Sequence, residues 1–181
     1  MSQKILAFGA SNSKKSINKQ FATFAAKQLD HTTTTLLDLN DFEMPIYSID
    51  REKESGVPDL AMQFKKYIKE ADGIIISFAE HNGAYTAAFK NIMDWVSRIE
   101  GSTWEGKPML LLGTSPGKGG AKSVLNLATT SFKNWDKNSI TSFSLPTFEK
   151  NFTAEKGILD KALADEFHTQ LAHFTASLAK D

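Results

Sequence analysis

Short apolar runs alternate with longer segments of helical periodicity along this chain. A buried parallel strand reads as a short apolar run and a covering helix as a 3.6-residue period, so the alternation indicates βα units. The apolar runs predict strands at residues 4–8, 32–39, 74–78, 109–112 and 139–145. The periodic segments predict helices at 16–29, from 59 onwards, through 89–96, at about 121–135 and at 154–178. Residues 41–58 are expected to form a loop.

This order of elements predicts an α/β fold: a flavodoxin-like three-layer sandwich with a five-stranded parallel sheet in the order 2-1-3-4-5 and helices on both faces. A chain of 181 residues is about the size of one domain, and no repeat or linker interrupts it, so a single domain over residues 1–181 is expected. Such sheets bind ligands at the carboxyl ends of the strands where the strand order reverses. The segments that matter most are therefore 9–18, 79–85 and 113–120.

Composition removes several classes of function. Lys plus Arg and Asp plus Glu number 21 each, so no net field attracts nucleic acid or an anionic membrane. Cysteine is absent, which excludes disulfides, thiolate nucleophiles and Cys-ligated metals; redox chemistry would need a bound cofactor. No His, Asp and Glu cluster has metal spacing. No apolar run approaches the roughly 20 residues of a membrane span, and the amino terminus does not resemble a signal peptide. A cytoplasmic protein without membrane insertion is expected.

The first segment is rich in hydroxyl and ammonium groups directly before a predicted helix. Its polar residues include Ser11, Ser13, Lys14, Lys15, Ser16 and Asn18. Free N–H groups and the positive dipole end make a helix N-terminus a phosphate site. The segment lacks both the P-loop ending and the dinucleotide glycine pattern, so a monophosphate is favoured. The alternative is ordinary N-capping by Ser16 or Asn18, which accounts for only one of the serines.

The other two segments are suited to flat ligands. The second contains Glu80, His81, Asn82 and Gly83 after the most hydrophobic strand, and its main chain could contact the edge of a heterocycle. Its alternative is a plain surface turn, since Asn-Gly is a common turn dipeptide. The third has four glycines in eight residues, which let main chain approach a ligand closely; its alternative is a flexible crossover loop. Its candidate residues are Ser115, Pro116, Gly117, Gly119 and Gly120.

These segments resemble the NADPH-dependent FMN reductases, which include bacterial quinone, chromate and azo-dye reductases. The family's first loop has the form G-S-x-R-x-x-S-x-N, matched here at Ser11, Ser16 and Asn18, with Ser13 in the arginine position. Its second motif resembles P-E-Y-N-x-x-x-P-x-x-L-K-N-x-x-D-W, and the matching residues are Glu80, Asn82, Lys90, Asn91, Asp94 and Trp95. The third loop looks like the family's S-x-G-x-x-G segment. Pro45, Tyr47 and Asp50 resemble its P-x-Y-x-x-D stretch.

The resemblance implies an oxidoreductase that passes hydride from NADPH or NADH through bound FMN to a small-molecule electron acceptor such as a quinone, a flavin or an azo dye. It places the FMN phosphate at Ser11, Ser13, Ser16, Ile17 and Asn18. It places the flavin between Glu80, His81, Asn82 and Gly83 on one side and Ser115, Pro116, Gly117, Gly119 and Gly120 on the other. No catalytic acid or base is implied, because the chemistry occurs on the flavin. A homodimer or homotetramer is the usual assembly.

Two other functions are open at this point. Residues 113–117 form a literal G-x-S-x-G between a strand and a helix, the position of a serine hydrolase nucleophile, with His168 or His173 as possible partners. Those histidines lie in a segment predicted as one long helix, at a spacing typical of its surface. The other is a non-enzymatic FMN-binding or electron-carrier module, which oxidation of NAD(P)H by the purified protein would distinguish from an enzyme.

Overall fold

A computed structural model describes residues 2–178. The central sheet has five parallel strands, β1 (Gln3–Ala10), β2 (Thr32–Leu37), β3 (Gly73–Phe78), β4 (Met109–Thr114) and β5 (Ile140–Leu145). Their spatial order is β2-β1-β3-β4-β5. The predicted fold class and strand order are confirmed.

Helices cover both faces of this sheet. In chain order they are α1 (Ile17–Lys27), α2 (Ile49–Ser55), α3 (Asp59–Glu70), α4 (Ala87–Val96), α5 (Lys122–Trp135), α6 (Phe148–Asn151) and α7 (Lys161–Leu178), with a 3-10 helix at Leu39–Phe42. Apolar residues of α3, α4 and α5 pack on one face, and those of α1 and α7 pack on the other. Within residues 2–178 no helix is long and apolar enough to cross a membrane.

The central strands are buried on both faces, which explains their continuous apolar sequences. In β1, Leu6 and Phe8 pack into the layer of α3, α4 and α5, whereas Ile5 and Ala7 pack into the layer of α1 and α7. Gly9 permits a close approach of helix to strand, since a Cβ there would lie 2.4 Å from the backbone nitrogen of Lys19 in α1. The first turn of α1 therefore lies directly against the end of β1.

The prediction of a loop over residues 41–58 was partly wrong, because α2 forms within it. Ser48 caps this helix by accepting a hydrogen bond from the Arg51 N–H at 3.2 Å. None of the seven residues of α2 is buried, so the helix has no apolar stripe for a periodicity argument to detect. The predicted second strand also ends early, at Leu37, because the Asp38 side chain caps the 3-10 helix.

The prediction of one helix over residues 154–178 was wrong at its start. A short hairpin of β6 (Phe152–Thr153) and β7 (Gly157–Ile158) comes first, and α7 begins only at Lys161. Gly157 has φ +69°, in the left-handed region, which reverses the chain between these strands. Asp160 then caps α7 by accepting a hydrogen bond from the Leu163 N–H at 3.0 Å.

Candidate functional site

Three loops meet at the carboxyl edge of the sheet, because β1, β3 and β4 are neighbouring parallel strands. We call them loop one (residues 11–16), loop two (residues 79–86) and loop three (residues 115–121). The strand order reverses between β1 and β3, where open α/β sheets bind ligands. The residues predicted for the site therefore lie along one edge of the fold.

Loop one leads into α1 and leaves amide donors unpaired there. Ser16 is the N-cap, and its Oγ accepts a hydrogen bond from the Lys19 N–H at 3.1 Å. The N–H groups of Ile17 and Asn18 have no acceptor in the described part of the chain. Free amides at the positive end of a helix dipole form an anion site. The capping interpretation and the anion interpretation of Ser16 are thus compatible, since a capping hydroxyl oxygen keeps its own hydrogen to donate.

The tip of loop one is exposed and positively charged. Ser13, Lys14 and Lys15 are exposed, while Ser11 is buried beneath them and accepts a hydrogen bond from the Ser13 N–H at 3.2 Å. Neither Lys14 nor Lys15 has a carboxylate within 4.0 Å among residues 2–178. Both ammonium groups are therefore available to an anionic ligand.

Asn18 connects the start of α1 to two strands of the sheet. Its side chain is buried, and its Oδ1 accepts hydrogen bonds from the Ser77 hydroxyl at 2.7 Å and from the Thr114 N–H at 3.3 Å. Its Nδ2 donates to the Thr114 carbonyl at 3.2 Å. The Asn18 side chain therefore fixes α1 against β3 and β4, whereas its backbone N–H has no acceptor among the residues that the structure describes. The sequence placed Asn18 at the site without revealing this division of roles.

Loop two forms a tight turn at its tip. His81 and Ala84 exchange two backbone hydrogen bonds, each of 3.1 Å. Between them, Asn82 and Gly83 have φ angles of 53° and 76°, as a type I′ turn requires. All four residues are exposed, and the N–H groups of Asn82 and Gly83 have no acceptor within residues 2–178. The turn interpretation is confirmed, and it presents two amide donors at the tip.

Other residues of loop two fasten it to its neighbours. The Oε2 of Glu80 accepts a hydrogen bond from the Val124 N–H at 3.1 Å, in the first turn of α5. That helix has Ala121 at its N-cap, which supplies no side-chain cap, so the Glu80 carboxylate takes the place of one. Thr86 donates its hydroxyl to the Ala10 carbonyl at 3.0 Å, which joins loop two to the end of β1.

Loop three is held from below by the segment that follows β5. The carbonyl of Gly117 accepts a hydrogen bond from the Thr147 N–H at 2.9 Å, and that of Ser115 accepts one from the Phe148 N–H at 3.0 Å. These bonds fix the main chain of the loop. The interpretation of this segment as a flexible crossover is not supported by them.

The glycines of loop three have two different roles. Gly120 has φ +59°, and a Cβ there would lie 2.5 Å from the Ser144 Oγ, so packing requires this glycine. A Cβ at Gly119, in contrast, would meet no protein atom within 4 Å. The N–H groups of Gly117 and Gly119 have no acceptor in the described residues, and Pro116 has no N–H to offer. Gly119 thus adjoins open space that a ligand can enter.

The segment 44–47 is fastened to α4 by two residues of the second motif. The Oδ1 of Asn91 accepts from the Tyr47 N–H at 2.8 Å, and its Nδ2 donates to the carbonyls of Met44 and Pro45 at 3.1 and 3.2 Å. The indole N–H of Trp95 also donates to the Pro45 carbonyl, at 2.8 Å. No role for these two side chains followed from the sequence. The joint occurrence of the two motifs that they connect could have indicated the contact.

Ionisable groups beside this segment and in loop two have shifted pKa values. Hydrogen bonds from Arg98 lower the pKa of the half-buried Glu52, and the Tyr47 hydroxyl, which donates to Glu52 at 3.0 Å, adds to this effect. Burial raises the pKa of Tyr85 to about 12, so its hydroxyl stays protonated at neutral pH. Within residues 2–178 no cluster of His, Asp and Glu is placed to hold a metal ion.

The geometry does not favour a serine hydrolase. The G-x-S-x-G does lie between β4 and α5, but the Ser115 hydroxyl donates to the Gly117 carbonyl within its own loop at 3.2 Å. His168 and His173 are exposed on α7, whose buried residues include Phe167 and Leu171. The predicted partners thus do not complete a triad with this serine.

Comparison with known proteins identifies the class. Residues 3–149 match the model of the NADPH-dependent FMN reductase family, and the chain belongs to this family. Among solved structures, the flavoenzyme NAD(P)H:(acceptor) oxidoreductase FerB from Paracoccus denitrificans has a similar fold, with a TM-score of 0.77 and 23% sequence identity over 98% of each chain. The predicted family is therefore confirmed.

Two curated relatives are quinone reductases by name. A 2-hydroxy-1,4-benzoquinone reductase from a Burkholderia species is 36% identical over 119 residues, which are 65% of this chain and 63% of that protein. A quinone reductase from Escherichia coli K12 is 34% identical over 86 residues, 47% of this chain and 46% of that protein. The chain thus spans between about half and two thirds of the length of these relatives.

Proposed function

We propose that this protein binds FMN at the three loops and passes hydride from NAD(P)H through it to a small acceptor of the quinone, flavin or azo-dye class. The observation that carries the proposal is the set of unpaired amide donors at the loop tips, held in place by buried side chains beneath them. Membership of the FMN reductase family and the names of the two quinone reductases support the same function.

The residues of loop one fit the FMN phosphate. The N–H groups of Ile17 and Asn18 would donate to phosphate oxygens, together with the hydroxyls of Ser11, Ser13 and Ser16. Ser11 and Ser16 already accept hydrogen bonds on oxygen, so each retains its own hydrogen for this purpose.

The charge that the family's arginine would supply is replaced in this chain. Ser13 occupies the arginine position, and Lys14 and Lys15 follow it with free ammonium groups. A lysine acts on phosphate as a point charge rather than through a bidentate fork, so the replacement preserves charge but not geometry. Both lysines would therefore contribute to FMN affinity mainly through electrostatic attraction.

Loops two and three fit the flavin ring. The N–H groups of Asn82 and Gly83, on the exposed turn that starts at His81, would face one edge of the ring, and those of Gly117 and Gly119 would face the other. Glu80 and Gly120 would act indirectly, by fixing α5 and the end of loop three. Ser115 and Pro116 would shape the main chain between them.

Bound FMN supplies the redox chemistry, accepting hydride from NAD(P)H and delivering it to the acceptor. The part of the protein is to hold the ring in one orientation and to present preorganised N–H dipoles where negative charge develops. No side chain needs to act as a general acid or base.

The test is direct. Purified protein should acquire a bound-flavin spectrum when FMN is added, and should then oxidise NADPH or NADH in the presence of a quinone. Oxidation should depend on both FMN and the acceptor. Binding of FMN without NAD(P)H oxidation would instead support an electron-carrier or regulatory module, and no binding of FMN would refute both.

Assembly as a homodimer or homotetramer is part of the proposal. Ile46 in segment 44–47, Ile49 in α2 and Met62 in α3 are large apolar side chains with exposures of 75%, 56% and 50%, which supports burial against a second copy. Light scattering coupled to size exclusion should give at least twice the monomer mass. Replacing Ile46 and Ile49 by Asp should shift the protein to the monomer, and a wild-type monomer would contradict the assembly.

We also propose that residues 1–181 form one domain and that the protein is cytoplasmic. Support for one domain comes from the two core clusters, which share the strands β1, β3 and β4. A single cooperative unfolding transition, coincident by two probes, would support one domain, and two separate transitions would contradict it. Cell fractionation tests the location.

A further inference from the structure

A groove runs beside α1, between this helix and the β6–β7 hairpin. Its volume is about 370 Å³, within the range of small-molecule sites. Lys14 and Lys15 line the end nearest loop one, and Lys27 lines the other end. Its lining residues on α1 run from Lys19 to Lys27, so this part of the groove is roughly 12 Å long at 1.5 Å per helical residue.

The groove is strongly cationic. Four lysines line it, Lys14, Lys15, Lys19 and Lys27, and no Asp or Glu within residues 2–178 does. Lys19 pairs with Asp38, but the other three have no carboxylate within 4.0 Å in the part of the chain that the structure describes. In a chain with 21 basic and 21 acidic residues, this local excess indicates an anionic ligand.

Two aromatic rings also line the groove, beside Ser16, Gln20, Thr23 and Ala154. Phe24 and Phe152 meet edge to face, with ring centroids 5.2 Å apart at 83°. The hairpin packs tightly on this pair, because a Cβ at Gly157 would lie 2.5 Å from the Phe24 ring. The hairpin wall is thereby fixed against α1. Aromatic surface beside several ammonium groups suits a flat heterocycle that carries phosphate.

The position of the groove relates it to the reductase site. It begins at loop one, where the FMN phosphate would bind, and extends away from loops two and three along α1. A nicotinamide dinucleotide places its nicotinamide against the flavin ring and carries its adenosine on the far side of a pyrophosphate. An adenosine end that crossed loop one would enter this groove.

We propose that the groove binds the adenosine end of NADPH, with the 2′-phosphate among the lysines, and that it makes NADPH the preferred reductant. This proposal rests on the proposed function, because it takes NAD(P)H as the reductant. NADH lacks the 2′-phosphate and gains nothing from the lysine at the far end. The groove thus distinguishes the two dinucleotides by charge.

Lys27 offers the sharpest kinetic test, because it lies far from the residues assigned to FMN. Lys27→Gln should raise the KM for NADPH about two- to fivefold, as expected for one partly exposed ion pair, and leave kcat and the KM for NADH unchanged. Lys69→Gln is the matched control, since Lys69 is exposed on α3, on the opposite face of the sheet. Equal changes for NADPH and NADH, or none, would overturn the proposal.

A binding experiment separates this proposal from the proposed function. FMN-supplemented protein is titrated with 2′,5′-ADP, and with 5′-AMP as the probe without the 2′-phosphate, while amide NMR shifts are followed. Shifts should concentrate in α1 and the β6–β7 hairpin. The affinity obtained from them should be higher for 2′,5′-ADP than for 5′-AMP, and the affinity for 2′,5′-ADP should fall in Lys27→Glu. Equal affinity for both probes, or shifts elsewhere, would refute the groove assignment. A protein that does not oxidise NAD(P)H would refute the proposed function, whatever the titration shows.

Discussion

The tips of the three loops and the polar side chains beneath them use their hydrogen-bonding groups in opposite ways. At the tips, the N–H groups of Ile17, Asn82 and Gly119 have no acceptor in the described structure. Beneath them, Asn18 Oδ1 and Glu80 Oε2 accept hydrogen bonds from other parts of the protein. The motif residues therefore form two sets, one that would contact the ligand and one that holds the first set in position.

The largest effect is expected from Asn18→Ala. The substitution leaves the Ser77 hydroxyl and both backbone groups of Thr114 without their buried partner, so we expect a loss of about 3 kcal/mol in the free energy of unfolding. Urea denaturation measures it. Ser77→Ala is the matched control, because it removes one bond of the same network, and it should cost about 1 kcal/mol. Equal, small effects of both substitutions would show that Asn18 does not hold the loops together.

A smaller effect is expected from Asn91→Ala. It removes three hydrogen bonds to segment 44–47, but the Trp95 indole still holds the Pro45 carbonyl. We expect a loss of about 1–2 kcal/mol in stability, and faster hydrogen exchange at the Tyr47 amide. Lys90→Ala is the control on the same helix, since Lys90 makes an exposed pair with Asp94. Unchanged exchange at Tyr47 would contradict the positioning role of Asn91.

At the tips, Lys14→Ala combined with Lys15→Ala should weaken FMN binding about fivefold, roughly 1 kcal/mol, by removing point charges from the phosphate site. The stability of the protein without FMN should change by less than about 0.5 kcal/mol, because both side chains are exposed. Flavin fluorescence titration and thermal unfolding measure the two quantities. A loss of stability without a change in FMN affinity would show that these lysines support the fold and do not contact the ligand.

The smallest effect concerns the Arg98 and Glu52 pair, which supports segment 44–47 from its exposed side. The pKa of Glu52 is lowered in the folded protein, so the pair stabilises the fold above the pKa of the unfolded carboxyl. This contribution is lost as the pH falls through the lowered pKa. The stability difference between wild type and Arg98→Gln should therefore be present at neutral pH and disappear in acid. A difference that persisted at low pH would refute the ion pair as its source.

Local sequence determined the elements that carry strong patterns. The continuous apolar runs of β3 and β4 follow from burial on both faces, and the serine and glycine chemistry marked loops one and three. Elements without such a pattern were missed, because α2 buries no side chain and the β6–β7 hairpin has only two residues in each strand. Short exposed elements depend on caps and turns, which periodicity does not reveal.

The same limit applies to the site. The sequence identified loop one as an anion site and located the most specific family match at Glu80 to Trp95. It could not show that Glu80 caps α5 or that Asn91 holds segment 44–47, because these contacts join residues 44 to 47 positions apart. The sequence also could not predict the lysine groove, since the wall of this groove includes a hairpin more than 120 positions from α1.

The sequence by itself therefore determined the βα order, the family and the loops at which FMN is proposed to bind. The tertiary structure decided which motif residues keep unpaired donors and which form hydrogen bonds that hold the loops in position. The physical reason is that composition and spacing specify which donors and acceptors a side chain carries. Only packing decides whether another part of the chain already forms hydrogen bonds with them.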